Sequence, residues 1–168
     1  MAEFKEQLYR LIPQDYDDNE KYIDVTLKCI RQSEMISVMF EDEDDTEIPL
    51  PNLKYDVLAK IVEYMRNHEE VKTNTIPKPL NTDTLENIVS DWDYSYITGM
   101  ENTMLFEVME GANYLDIGPL LEMCCAHTAV LIKNKSVEEI RELFNITDDF
   151  TEEDRNKIKN ELEWFNDE

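Results

Sequence analysis

Few residues in this sequence could do chemistry. The 168-residue chain holds two histidines, His68 and His127, three cysteines and three glycines. Each histidine stands alone on a segment of helical pattern, so neither a His–Cys metal set nor a histidine-activated nucleophile finds its partners. Gly99, Gly111 and Gly118 are too few for a phosphate-cradling loop or a G-x-S-x-G elbow. Cys124 and Cys125 are adjacent, whereas redox chemistry wants a C-x-x-C spacing, and beside Met123 they suit a helix core. Carboxylates are so numerous that a pair at catalytic spacing singles out nothing. The run "EDEDDTE" at 41–47 lacks the glycine and closing glutamate of a calcium loop and reads as a solvated turn. No catalytic residue, metal or cofactor is expected, which leaves binding surfaces as the place to look for function.

Composition bounds what such surfaces can meet. At 42% hydrophobic, the chain can bury a real core and has the size of one domain, or a domain with an attachment. No signal peptide or membrane span is expected, because charges interrupt every window long enough to cross a bilayer. Three cysteines cannot form an even disulfide framework, which fits a cytoplasmic and nuclear protein. The 39 acidic and 16 basic residues give a formal net charge of -23, so nucleic acid is not an expected partner.

The elements that would carry binding surfaces fall into two regions, divided by an aperiodic stretch at 69–87 expected to be a flexible linker. In the first, "EQLYRLI" and "KYIDVTLKCI" alternate as the arms of a β-hairpin. "SEMISVMF" follows as a short helix with Ser33 as N-cap, and "IPLPN" as a brief strand. Leu53, Val57, Leu58, Ile61, Val62 and Met65 make the apolar stripe of an amphipathic helix. In the second region, Leu105, Val108, Met109, Ala112 and Leu115 share a helical face. Asp116 is expected to cap the next helix, with Pro119 in its first turn. Two capping boxes, Ser136 with Glu139 and Thr151 with Asp154, then start two short helices.

The C-terminal helices carry more apolar side chains than short helices easily bury. Either they close an ordinary bundle core or they leave a groove for a partner helix, and the pattern alone leaves both open.

The run "ANYLDIGPLLEMCCAHTAVLIKNKSVEEIRELFNITDDFTEED" and the ending "ELEW" resemble the C-terminal half of the S-phase-kinase-associated adaptor family. Members of that family join F-box proteins to a cullin in SCF-type ubiquitin ligases. The likeness extends upstream through "IRQSEMISVMFED", "IPLPN" and "LFEVMEGANYLD", in the family's order, so most of residues 22–165 is covered.

The resemblance implies an α+β architecture: a BTB/POZ-type unit at 1–68, the linker, further BTB-type helices at 88–132, and a C-terminal helical F-box-binding extension at 133–168. It implies that Asn113 and Tyr114 face the cullin N-terminal domain. It implies an F-box surface of Leu105, Phe106, Leu121, Cys125, Ile132, Ile140, Phe144, Ile146, Phe150 and Trp164, with Trp164 as anchor. It leaves open a homodimer of the free chain. The sequence departs from the family pattern at the first hairpin turn and at "SDWD". It departs also at Glu110, Gly118, Pro119, Thr128 and Leu162, as a divergent member would. Thr128 and Leu162 imply a narrower choice of F-box protein or cullin. The function implied is a non-enzymatic adaptor. The alternative is a self-associating BTB-type subunit of a chromosome or transcription complex.

Overall fold

Alternation along the first two strands decides which faces meet. In the computed structural model, which describes residues 7–16, 21–39, 46–71, 73 and 75–165, strands β1 (Leu8–Pro13) and β2 (Ile23–Thr26) form the expected antiparallel pair. Leu8 lies opposite Thr26 and Leu11 opposite Ile23. Tyr9, Leu11, Ile23 and Val25 point to one buried face, as a period of two requires. β3 (Glu47–Leu50) adds in parallel on the other side of β1, with Leu11 opposite Ile48, for a sheet order β2-β1-β3. The tip of the hairpin at 17–20 and the acidic run at 41–45 lie outside the described residues.

The second arm ends earlier than its alternation suggests. Thr26 closes β2, and its hydroxyl accepts the Cys29 amide at 3.2 Å, starting a one-turn helix α1 (Leu27–Ile30). A threonine able to cap overrides the β pattern that continues through it. α2 (Glu34–Met39) follows with Ser33 as its cap. α3 (Tyr55–Asn67) buries the predicted stripe of Val57, Leu58, Ile61, Val62 and Met65. Its first amide, Tyr55 N–H, is satisfied from a distance by Asp15 Oδ1 at 2.7 Å, which ties the helix start to the end of β1.

α4 (Asp91–Thr98), α5 (Asn102–Tyr114) and α6 (Gly118–Ile132) complete the first of two compact units, Met1–Lys133. The second, Asn134–Glu168, holds α7 (Val137–Phe144) and α8 (Glu152–Phe165). α3 packs on α5 and α5 on α6, over a core in which Leu11, Ile36, Leu58, Ile61, Val108 and Leu120 are wholly buried. Each such side chain contributes about 2 kcal/mol relative to exposure.

The stretch expected to be a flexible linker contributes two side chains to this core. It has almost no regular secondary structure, but Ile76 and Leu85 are buried. Lys133 reaches Asp83 at 2.7 Å and Lys78 reaches Glu122 at 2.7 Å, fastening the segment to α6 from both ends. Its apolar residues recur at no helical or strand period, so periodicity could not reveal that they are buried.

One buried ionic contact joins α3 to α4. His68 Nε2 lies 3.2 Å from Asp93 Oδ1, and His68 Nδ1 lies 2.9 Å from the Tyr64 carbonyl. A carbonyl only accepts, so Nδ1 carries a hydrogen, and the carboxylate favours a second on Nε2. That N–H is poorly aligned, leaving Oδ1 without a formed hydrogen bond, so charge rather than alignment holds the contact. Burial opposes the imidazolium, but Asp93 and the Tyr64 carbonyl outweigh it and raise the His68 pKa. Burial likewise opposes the carboxylate, but His68 and the Ser90 hydroxyl outweigh it and lower the Asp93 pKa. The Tyr64 ring stacks on His68 at 4.1 Å, and Trp92 meets its edge.

A histidine whose pKa rises on folding adds stability below its unfolded value of about 6.5, and loses it as pH climbs through the folded value. The aspartate adds stability above its unfolded value of about 3.9, and loses it as pH falls through the folded one. Thermal denaturation of the native chain and of His68→Gln between about pH 6 and about pH 8.5 measures the first effect. The native chain is expected to lose more of its Tm over that range, and parallel curves would show that the pair's charge contributes nothing.

Candidate functional site

The family resemblance assigns a role to the end of α5, and the local sequence explains why the helix stops there. The Ile117 amide donates to the Ala112 carbonyl at 2.9 Å and the Asp116 amide to the Asn113 carbonyl at 3.2 Å, while Asp116 takes a positive φ of 53°. That is a left-handed closure of the last turn, in which aspartate occupies the position usually given to glycine. The expectation that Asp116 caps α6 is therefore corrected. The residue before α6 is Ile117, which makes no side-chain cap, and Asp116 closes α5 instead. Pro119 does sit in the first turn of α6, where no amide is needed.

Two contacts from α2 hold this exit in place. The wholly buried Ser33 hydroxyl donates to the Leu115 carbonyl and accepts the Ile36 amide at 3.1 Å, so one oxygen caps α2 and terminates α5. The Glu34 amide adds a bond to the Asp116 carbonyl at 3.3 Å. With the exit fixed, Asn113 is exposed and Tyr114 half-buried against the core.

Beside Tyr114 a cavity of about 350 Å³ opens between the start of α3 and the last turns of α5. Leu53, Val57 and Gly111 supply its apolar part, and Gln14, Asn52, Lys54, Glu107 and Glu110 its polar part. Gly111 sets how closely the helices approach, since a Cβ there would lie 2.6 Å from Ile61 Cδ1 and 3.0 Å from Leu53 Cδ2. Lys54 Nζ pairs with Glu107 at 3.5 Å across the opening.

A second surface runs along α6. Leu120, Met123, Cys124 and Ala126 face the core, while Leu121, Cys125, Thr128 and Ile132 follow one another at helical spacing on the other side. Leu121 is half-buried, and Cys125 and Ile132 are exposed. Thr128 turns its hydroxyl back to the Cys124 carbonyl at 2.9 Å, which leaves its methyl as the outward chemistry. α6 is thus apolar on nearly all sides, a pattern that a helix covered on one side does not need. Burial pushes the Cys124 thiol up to about 12, which keeps it protonated and inert.

The C-terminal unit presents a similar excess. None of its described side chains is buried; Ile140 and Phe144 are half-buried and Ile146 and Phe150 exposed. Ser136 and Glu139 form the expected capping box of α7. Thr151 and Asp154 exchange bonds at 3.1 and 3.2 Å before α8. Asp148 bridges Arg155 and Arg141; the hydrogen bond from Arg155, helped by the Phe150 amide and both charges, holds its carboxyl below the usual range, and Arg141 lies over the Phe150 ring.

Of the residues assigned to the F-box surface, Phe106, Leu121, Cys125 and Ile132 are at least partly accessible in the first unit, as are Ile140, Phe144, Ile146 and Phe150 in the second. Leu105 is not. It is 1% exposed and belongs to the core beneath α5, because it shares a face with Val108 and Ala112. Trp164 lies on α8, and its side chain is outside the described residues. Sequence reasoning missed Ser33 as a tertiary clamp and Lys54 and Glu107 as neighbours of Tyr114. Only the N-cap signal of Ser33 was available. Among the described residues, no group of histidine, cysteine and carboxylate side chains could hold a metal, and no helix is long and apolar enough to cross a membrane.

Residues 17–70 match the model of the Skp1 family's tetramerisation domain, and residues 118–165 that of its dimerisation domain. The chain is 43% identical over 145 residues to the S-phase kinase-associated protein 1 homolog of Tetrahymena thermophila, covering 84% of this chain and 86% of that protein. It is 40% identical over 149 residues to the E3 ubiquitin ligase complex SCF subunit sconC of Emericella nidulans, covering 88% and 91%. The Suppressor of kinetochore protein 1 of Schizosaccharomyces pombe is 36% identical over 158 residues, covering 89% and 94%.

Two substitutions test the α5 exit. Ser33→Ala should cost about 2 kcal/mol in urea denaturation, since it removes a helix cap and leaves a buried carbonyl unsatisfied. Asp116→Gly should be neutral or add up to about 1 kcal/mol, because glycine takes the left-handed turn without penalty. A clear loss of stability in Asp116→Gly would restore the capping role.

Proposed function

The chain belongs to the Skp1 family, and from that premise we propose that it is a non-enzymatic adaptor of an SCF-type ubiquitin ligase. It bridges a cullin scaffold to F-box substrate receptors. The observation that carries this reading is the agreement of both family regions with a fold that leaves two separate kinds of surface open. One is the polar and aromatic end of α5. The other kind is apolar, and each unit presents it by itself: the outer side of α6 in the first, and helices with no fully buried described side chain in the second. An adaptor needs no catalytic group; by binding two partners at once it raises the effective concentration of a substrate near the ligase.

Within that reading, Asn113 and Tyr114 contact the cullin N-terminal domain. Phe106, Leu121, Cys125, Ile132, Ile140, Phe144, Ile146, Phe150 and Trp164 contribute to the F-box surface. The accessibility of Asn113 and of the α6 stripe supports these roles, and the burial of Leu105 argues for removing it from the set. The same apolar surface supports a homodimer of the free chain, displaced when an F-box protein binds. A second reading, a self-associating subunit of a chromosome or transcription assembly, draws on the dimerisation and tetramerisation domains of the family and on a relative named for the kinetochore.

Purified chain, an F-box protein and a cullin N-terminal domain mixed on a sizing column are expected to form a ternary complex. Asn113→Lys with Tyr114→Lys should abolish cullin binding and spare the F-box complex. Cys125→Arg should weaken F-box binding at least about tenfold and spare the cullin. Failure of the native chain to form either binary complex would sink the adaptor reading. A stable oligomer that binds neither partner would favour the second one.

A further inference from the structure

We propose that Glu110 is a specificity-determining contact for the cullin, receiving a lysine or arginine side chain in the cavity beside Tyr114; this rests on the cullin reading of the α5 surface. Glu110 precedes Asn113 and Tyr114 by three and four positions, so all share one face of α5, and a partner covering the pair extends over the carboxylate. The cavity itself is suited to a long cationic side chain. Its apolar part, built by Leu53, Val57 and Gly111, matches a methylene stem, and its carboxylates match the charged head.

The two carboxylates on this face are not equivalent. Glu107 is neutralised by Lys54 at 3.5 Å, whereas Glu110 is exposed and has no cation at ion-pair distance among the described residues. The carboxylate nearer the Asn113 and Tyr114 pair is therefore the one whose charge remains for a partner. The volume of about 350 Å³ is larger than one arginine side chain. The chain's net charge of -23 favours the approach of a basic surface from a distance, but only a placed carboxylate selects where its cation lands.

The test measures binding of the full chain to a cullin N-terminal domain at two salt concentrations, with F-box binding as the control for folding. Glu110→Gln is expected to weaken cullin binding about fivefold at low salt and Glu110→Lys at least about thirtyfold, with F-box affinity unchanged. The salt dependence of Glu110→Gln should be shallower than that of the native chain. Cullin binding by Glu110→Gln within twofold of native, whether or not Glu110→Lys repels, would overturn the proposal while Asn113→Lys with Tyr114→Lys still abolishes binding. If that double variant binds normally, the α5 surface is not the cullin site and both readings fall.

Discussion

The buried hydroxyl of Ser33 holds together the part of the structure on which the rest depends. By accepting the Ile36 amide it starts α2, and by donating to the Leu115 carbonyl it satisfies the end of α5, two elements 82 residues apart in the chain. A buried carbonyl left without a donor costs about 1–3 kcal/mol, so the chain has a strong reason to keep this arrangement. What the clamp fixes is direction. It sets where α5 stops, how Asp116 turns the chain, and therefore which way Asn113 and Tyr114 are presented. Gly111 complements it one turn earlier, allowing α3 close enough to wall the cavity next to Tyr114.

The apolar surfaces of the two units are each defined by what remains unburied. α6 spends one side on the core and presents Leu121, Cys125 and Ile132 on the other, and no described side chain of the C-terminal unit reaches full burial. Leaving apolar side chains in water forgoes about 25 cal/mol for each Å² that a partner could cover. A chain that only needed to fold would gain by replacing them with polar residues. That reserve is what an adaptor uses to hold an F-box protein. The short helices survive without much burial because their ends are locally closed, by the Ser136–Glu139 box and by Asp148 between Arg141 and Arg155.

Electrostatics divides the labour between the two surfaces. The acidic excess keeps a protein with exposed apolar stripes soluble and repels its own copies. At the α5 end the same excess becomes specific, because Lys54 cancels Glu107 and leaves Glu110 open. The buried His68–Asp93 contact serves neither surface. It fastens α4 to the end of α3, with the Tyr64 ring stacked on His68 and Trp92 against its edge.

Much of this was legible in the sequence because it rests on local rules. The β1–β2 pair, the stripe of α3, the caps at Ser33, Ser136 and Thr151 and the absence of catalytic motifs follow from period, capping and residue type. The family resemblance then carried the functional reading. Other features depended on distant parts of the chain. Ile76 and Leu85 are buried nine positions apart in a stretch with no helical or strand period, so a segment that reads as a linker gives two side chains to the core. Leu105 and Phe106 are adjacent and both apolar, yet helix geometry sends one inward and leaves the other accessible. Asp116 carries a capping residue's chemistry but closes the helix before it, since its conformation is set by the α2 contacts rather than by its side chain. Local sequence thus determined which elements form and which family they belong to. Only the packing of α2, α3 and α5 against one another decided which side chains remain available to a partner, because accessibility is a property of neighbours that the chain brings together from far apart.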